Sequence, residues 1–187
     1  MTAQEQQARW EACYAQTSAT EAPPLPLLAA QAALLPLSGD ALDLACGRGG
    51  NALFLARCGL QTQAWDYAAS AVAALQLQAG ELPLRAECRD VVAQPPLPNT
   101  FDVIVVAHFL HRPLFPFLVA ALRPGGLLFY ETWAGPYTGR GPRNPAYRLI
   151  SGELEQAFSG LLPLFFHQDE DRITGVWKSA ASGAALA

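Results

Sequence analysis

Apolar residues fall along this chain in short runs closed by glycine, proline or small polar clusters, with longer Ala/Leu-rich stretches between them. Residues 41–45, 60–65 and 84–88 read as buried strands, and 101–107 (Phe-Asp-Val-Ile-Val-Val-Ala) is the clearest of them, β-branched and nearly free of polar groups. Helices are predicted between these runs, over 51–58 with Gly59 as its stop and over 68–79 with Gly80 as its stop. Residues 91–100 hold three prolines and read as loop. Beyond 107 the pattern predicts a helix over 113–122, a turn at Arg123-Pro-Gly-Gly126 and a strand over 127–132. Ser151 is placed to N-cap a helix to about Phe158, with Glu153 in its first turn. Residues 161–166 and 173–179 close the pattern as two strands, and the short charged turn between them requires an antiparallel hairpin. Ahead of the first strand, 5–15 is a short polar helix with Trp10 and Tyr14 four apart, and 25–35 is an apolar helix ending before Pro36.

Strands alternating with helices imply an α/β, Rossmann-like fold. The expected architecture is a seven-stranded, mostly parallel sheet with a C-terminal antiparallel hairpin and helices on both faces. A length of 187 residues suits one domain, with 1–37 as an N-terminal helical lid or cap and 38–187 as the core. Hydrophobic residues at 51% against 15% charged favour a well-buried interior over disorder. The net charge of −4 argues against a nucleic-acid partner, although Arg140, Arg143 and Arg148 form a local basic cluster. The N-terminus lacks the basic and apolar regions of a signal peptide, and the apolar stretch 22–37 is too short and too interrupted by prolines to span a membrane. A soluble, cytoplasmic protein is expected. Cys13, Cys46, Cys58 and Cys88 have no pairing or metal-ligand spacing, so reduced thiols and no metal are expected.

The chemistry concentrates at residues 43–51, Asp-Leu-Ala-Cys-Gly-Arg-Gly-Gly-Asn. Gly47-x-Gly49-x-x-Ala52 follows a predicted strand and opens a predicted helix, the setting of a nucleotide-binding turn. Glycines let backbone approach a ligand closely without naming it. Asp43, four residues before the first glycine, narrows the choice: a carboxylate there repels a pyrophosphate and favours a cation. S-adenosylmethionine, with an ammonium and a sulfonium and no phosphate, meets that condition. Asp66, ending the second strand, suits two ribose hydroxyls, and Asp90, ending the third, suits an adenine amino group. For Asp90, capping a turn is as good an account.

The chain is similar over nearly its full length to the class I S-adenosylmethionine-dependent methyltransferases. Residues 41–49 resemble the motif E/D-x-G-x-G-x-G, with Asp43 in the acidic position, Ala45 in place of the first glycine, and Gly47 and Gly49 as the next two. Leu122-Arg-Pro-Gly-Gly126 resembles the L-x-P-G-G turn before the fifth strand. Trp10–Tyr14, His108-Phe-Leu-His-Arg-Pro113, Tyr130-Glu-Thr-Trp133 and Arg143–Glu153 resemble the small bacterial methyltransferases related to the tellurite-resistance protein TehB. The resemblance implies a cofactor site of Asp43, Ala45, Cys46, Gly47, Gly49 and Asn51 at the turn, Asp66 and Tyr67 after the second strand, Asp90 and Val91 after the third, and Ala107, His108 and Leu110 after the fourth. It implies methyl transfer without naming the acceptor.

Displacement at a sulfonium expels a neutral leaving group, so alignment of the acceptor supplies much of the rate and a base is required only for a protonated acceptor. His111 is the candidate base or substrate contact; a backbone-bonded or helix-capping histidine is the open alternative. His108 is assigned to the cofactor's surroundings and His167 to structure. Tyr14, with Trp10, belongs either to a lid or to a packed terminal helix. Arg140, Arg143, Tyr147 and Arg148 lie in the long loop 133–150, and Arg143 and Tyr147 join Tyr14 and His111 as candidate substrate contacts. The N/D-P-P-Y/F motif of amino methyltransferases is absent after the fourth strand, which favours a small-molecule acceptor of O, N, S or chalcogen-oxyanion type. The rival readings are an NAD-dependent Rossmann oxidoreductase and a non-catalytic S-adenosylmethionine-binding module. Oligomeric state is not legible in the sequence.

Overall fold

The computed structural model describes residues 3–15 and 21–181, so residues 16–20 of the expected lid lie outside the described residues. The chain divides into two compact units, Met1–Pro95 and Pro96–Ala187.

The first unit alternates as its hydrophobic pattern requires. Helices α1 (Ala3–Ala15) and α2 (Pro26–Ala30) precede β1 (Asp40–Leu44), α3 (Gly50–Arg57), β2 (Gln61–Asp66), α4 (Ala69–Ala79) and β3 (Leu84–Cys88). All pairings are parallel: Asp40 to Leu44 on β1 face Gln61 to Trp65 on β2, and Thr62 to Asp66 face Leu84 to Cys88 on β3. Parallel strands need crossovers, and α3 and α4 supply them. Their inner residues Ala52, Leu53, Ala56, Leu75 and Ala79 close a core on Ala64 and Leu84. The helix expected over 25–35 is shorter. It ends at Ala30 and tightens into a 3-10 turn over Ala32–Leu34, because Pro36 forces Leu35 into extended backbone (φ −66°, ψ 140°).

The second unit contains β4 (Phe101–Ala107), α5 (Phe115–Ala121), β5 (Leu122–Trp133), α6 (Glu153–Ala157), β6 (Leu162–Gln168) and β7 (Arg172–Lys178). β4 and β5 are parallel, β7 runs antiparallel to β5, and β6 antiparallel to β7, so the last two strands form the expected hairpin. An edge-to-face aromatic chain of Tyr130, Phe115, Phe158 and Trp177 fills the core, with ring centroids 5.1–5.9 Å apart. The seven strands match the expected mostly parallel class.

Three local expectations are corrected. The Arg123–Gly126 turn lies inside β5. Phe101 pairs with Leu122 and Val103 already pairs with Leu127, so three extra residues bulge from the strand. Arg123 anchors the bulge through a 2.6 Å ion pair to Asp102. The helix expected over 113–122 starts as a 3-10 turn, Arg112–Leu114, before α5. The N-cap of α6 is Gly152 at φ 80°, a conformation that excludes Ser151's role, and Glu153 instead reaches back to the Ile150 N–H at 3.0 Å. Among the described residues, no helix is long and apolar enough to cross a membrane.

The bulge leaves no room at Gly126, where an added Cβ would lie 2.9 Å from the Arg123 carbonyl and 3.2 Å from those of Asp102 and Phe101. Gly126→Ala should therefore lower unfolding stability by about 1–3 kcal/mol, measured by urea denaturation. An unchanged midpoint would show that the bulge has slack.

Candidate cofactor and acceptor sites

Strand β1 delivers Asp43 beneath the glycine turn, fully buried. One carboxylate oxygen accepts the Ala52 N–H at 3.0 Å, and the other faces the Asn51 side-chain amide at 3.5 Å. Ala52 stands in the first turn of α3, where backbone donors have no intrahelical acceptor, so Asp43 caps the helix from the neighbouring strand. Asn51, also buried, accepts the Leu25 N–H at 2.8 Å and so ties α2 to the turn.

Asp66 ends β2 and accepts backbone N–H donors from Gly47 at 2.7 Å, Ala68 at 2.9 Å and Tyr67. The carboxylate keeps lone-pair capacity beyond these bonds and a slight exposure of 6%. The turn between these acids has unusual backbone. Gly47 and Gly49 are left-handed at φ 52° and 72°, and Ala45 is left-handed as well, at φ 56°. Alanine in the first glycine slot thus keeps the room but carries a strain that glycine would not. Gly49 also lets α4 approach, since a Cβ there would lie 2.3 Å from the Leu75 side chain. Cys46 is buried, its N–H donating to the Trp65 carbonyl at 2.9 Å and its thiol pushed well up by burial.

Helix α1 reaches the same turn. The Tyr14 hydroxyl lies 2.6 Å from where a Cβ on Gly47 would sit, and burial, with nearby Asp66, raises its phenol well above the ordinary range. Trp10 stacks on Tyr14 at 6.0 Å. Glu11 accepts the N–H groups of Ala69 and Ser70 at the start of α4, and Gln7 donates to the Tyr67 carbonyl at 3.3 Å. Glu11 escapes sequence reasoning, being only an acid on a polar helix there. Asp90 caps a turn, one oxygen accepting Val92 N–H at 3.0 Å and Ala93 N–H at 3.1 Å, beside buried Val91.

In the second unit, Ala107, His108, Leu110 and His111 follow β4. Leu110 is buried, His108 is left-handed at φ 56°, and its N–H donates to the Glu131 carbonyl at 2.7 Å. His111 stands at the N-cap of the 3-10 turn Arg112–Leu114 without a side-chain capping bond. The arginine cluster separates into different roles. Arg148 is buried and donates to the carbonyls of Gly135 and Ala134 at 2.7 Å, Arg140 at 3.1 Å and Pro142 at 3.4 Å, so it pins the loop. Arg140 pairs with buried Asp171 at 2.9 Å. Arg143 lies over the Tyr137 ring at 5.6 Å, and Tyr147 is exposed. His167 sits exposed on β6. Glu131 and Arg172, paired at 2.7 Å beside His108, escaped the sequence reading; an acid inside an apolar strand was the available signal.

The first unit's acids are electrostatically incomplete. Burial pushes the Asp43 carboxyl up to about 7 against its hydrogen bonds from Asn51 and Ala52, and raises Asp66 as well. Each is met by backbone or amide donors and by no basic side chain among the described residues. Such a turn fits a cationic ligand and disfavours a phosphate.

An acid whose native pKa exceeds its unfolded value, about 3.9 for Asp, keeps its proton in the native state across that interval. Asp43 therefore removes stability as pH rises from about 4 to about 7. Asp169 and Glu153, lowered chiefly by backbone and arginine hydrogen bonds respectively, act in the opposite sense in acid. The informative quantity is thus a difference. Asp43→Asn should gain stability relative to the parent as pH rises from 4 to 7, measured by denaturation without ligand. A pH-independent difference would contradict the burial argument.

Residues 41–126 match the methyltransferase domain family. Hemagglutinin 1 of Eikenella corrodens is 43% identical over 94 residues, which make up 46% of this chain and 31% of that protein; the chain thus spans about a third of this curated relative. TehB from Haemophilus influenzae superposes with a TM-score of 0.75 at 17% identity, over 91% of this chain and 67% of the other. A protein described for conversion of a disulfide bond into a thioacetal group during echinomycin biosynthesis gives 0.74 at 18% identity, over 96% and 94%. Geranyl diphosphate C-methyltransferase of Streptomyces coelicolor A3(2), in complex with S-adenosyl-L-homocysteine, gives 0.66 at 15% identity, over 81% and 76%. These superpositions establish the Rossmann-like methyltransferase fold. The family match over residues 41–126 and the carboxylate-lined glycine turn lie within that fold, which the chain shares with TehB.

Proposed function

We propose that this protein transfers the methyl group of S-adenosylmethionine to a small-molecule acceptor at O, N, S or a chalcogen oxyanion. The observation that carries the reading is the pair of buried carboxylates, Asp43 and Asp66, bound to the glycine turn without a basic partner among the described residues. When bound, the cofactor supplies a methyl group on a cationic sulfur, which departs neutral. Asp43 lends the turn a negative potential, and the unused lone pairs of Asp66 receive ribose hydroxyls. Ala45, Cys46, Gly47, Gly49 and Asn51 shape the backbone of this cradle. Tyr67, Asp90 and Val91 flank the adenosine, and Tyr14 on α1 closes over the turn as part of a lid.

In the second unit, Ala107, His108 and Leu110 take cofactor-facing roles, His111 serves as base or acceptor contact, and Arg143 and Tyr147 contact the acceptor. A small acceptor is favoured over nucleic acid by the net charge of −4 and by the engagement of Arg140 and Arg148 within their own loop. A cytoplasmic location accords with the absence, among the described residues, of a membrane-spanning helix.

Calorimetric titration should give micromolar-class affinity for S-adenosylmethionine or S-adenosylhomocysteine and none for NAD; tight NAD binding would sink the reading. Asp66→Asn should weaken cofactor affinity about tenfold or more, the scale of a hydrogen bond to a charged group. An unchanged dissociation constant would remove Asp66 from the site.

Labelled-methyl transfer into a panel of thiols, phenols, amines and tellurite tests the chemistry. On any acceptor so found that arrives protonated, His111→Ala should lower kcat by about 10²-fold or more. Full turnover in that variant would exclude His111 as the base.

A further inference from the structure

Three strands of the second unit bring one residue each to a common point. Ala107 on β4 pairs with Glu131 on β5, and Glu131 in turn pairs with Thr174 on β7, so His108, Glu131 and Arg172 meet at the end of the sheet. Arg172 donates to a Glu131 carboxylate oxygen at 2.7 Å, while Thr174 holds the other oxygen at 2.9 Å. The same Arg172 nitrogen lies 3.1 Å from His108 Nδ1, with its guanidinium stacked 4.1 Å above the Trp133 ring. His108 is held from its backbone side too, by the N–H bond to the Glu131 carbonyl and by a left-handed φ of 56°. A residue kept in that conformation is fixed by its surroundings.

Hydrogen-bond chemistry then settles the ring. A guanidinium donates only and does not lose its proton in proteins, so Nδ1 must offer it a lone pair. The Glu131 carboxylate is 3.8 Å from Nδ1, too far to take a proton from it. The imidazole proton therefore resides on Nε2, and a second proton would face the guanidinium. The side chain is half-exposed (49%), so the ring is open to a ligand.

Building on the methyl-transfer reading above, we propose that Glu131 and Arg172 lock His108 as the neutral Nε2–H tautomer, and that this fixed donor selects methyl acceptors bearing a carbonyl or oxyanion oxygen. Burial and the neighbouring Arg172 charge lower the His108 pKa, which agrees with a neutral ring. His108 is then a specificity-determining contact, and Glu131 and Arg172 are positioning residues that act through it. The arrangement separates His108 from the base role given to His111, since a donor tautomer cannot accept the acceptor's proton at Nε2.

Nitrogen-15 NMR of the full chain reads this directly, with His108→Gln assigning the resonances. The expected result is the Nε2–H tautomer at neutral pH, lost to a mixture in Arg172→Met and retained more fully in Arg172→Lys. An Nδ1–H tautomer, a cationic ring, or a tautomer unchanged in Arg172→Met would overturn the lock, and the first two need no variant to fold. In the labelled-methyl panel, every acceptor used should carry a carbonyl or oxyanion oxygen. His108→Phe should lower kcat/KM on these about tenfold or more, while His108→Gln, which keeps a donor, loses less. Efficient methylation of acceptors lacking such an oxygen would overturn the assigned class. No transfer to any acceptor would defeat the methyl-transfer reading and the acceptor class with it, whereas the tautomer measurement decides the lock independently.

Discussion

Two carboxylates buried without a cationic partner govern what the first unit is built to hold. Ionising a group away from water is costly, and Asp43 and Asp66 offset that cost with backbone N–H groups whose own requirements are thereby met. The bonds also fix the fold. Asp43 joins β1 to the start of α3, and Asp66 joins β2 to both the glycine turn and the entry to α4. The residues that make the turn hospitable to a cation are thus the residues that hold the turn in shape. Loss of either acid disturbs the scaffold and the ligand chemistry together, so the two effects must be separated by measuring stability alongside affinity.

Where a segment's structure depends on its own residues, the sequence disclosed it closely. β3 and β4 occupy the expected residues 84–88 and 101–107, and for β4 an apolar run between turn formers has few alternatives. The misses arose where a partner decided the outcome. The Arg123–Gly126 turn became a bulge because β4 is there to pair on either side of it. The Ser151 cap failed because Gly152 takes a left-handed conformation that lets Glu153 reach Ile150 and Arg112. The helix over 25–35 was cut short by Pro36, whose effect was legible and was applied one turn too late.

The candidate site divides along the same line. The glycine turn, Asp43 and Asp66 were legible because their chemistry is written in contiguous residues. Their partners Asn51 and Ala52 also lie within the motif. Arg148 reads in the sequence only as one of a basic loop cluster, because a basic residue in a long loop looks solvated, whereas closure of the loop surrounds it with carbonyls. The meeting of Glu131 and Arg172 beside His108 was beyond local reading. Only the antiparallel register of β5 and β7 brings the first two together, and spacing along the chain contains no record of that register.

Asp43 and Asp66 in the first unit and the paired acids of the second handle charge in opposite ways. In the second, the acids are answered by arginines: Asp102 by Arg123, Glu131 by Arg172, Glu153 by Arg112 and Asp171 by Arg140. Arg148, which has no acid partner here, donates to loop carbonyls instead. Charge in those pairs is balanced internally, so what they present is directed hydrogen bonding more than net potential. In the first unit the buried acids keep their charge deficit for a ligand. A buried acid pair favours a cation by potential, which tolerates small displacements, while a fixed ion pair offers directed hydrogen bonds, which do not. Under the proposed methyl transfer, that division makes the cofactor legible in a short motif and the acceptor legible only through the orientation of individual side chains.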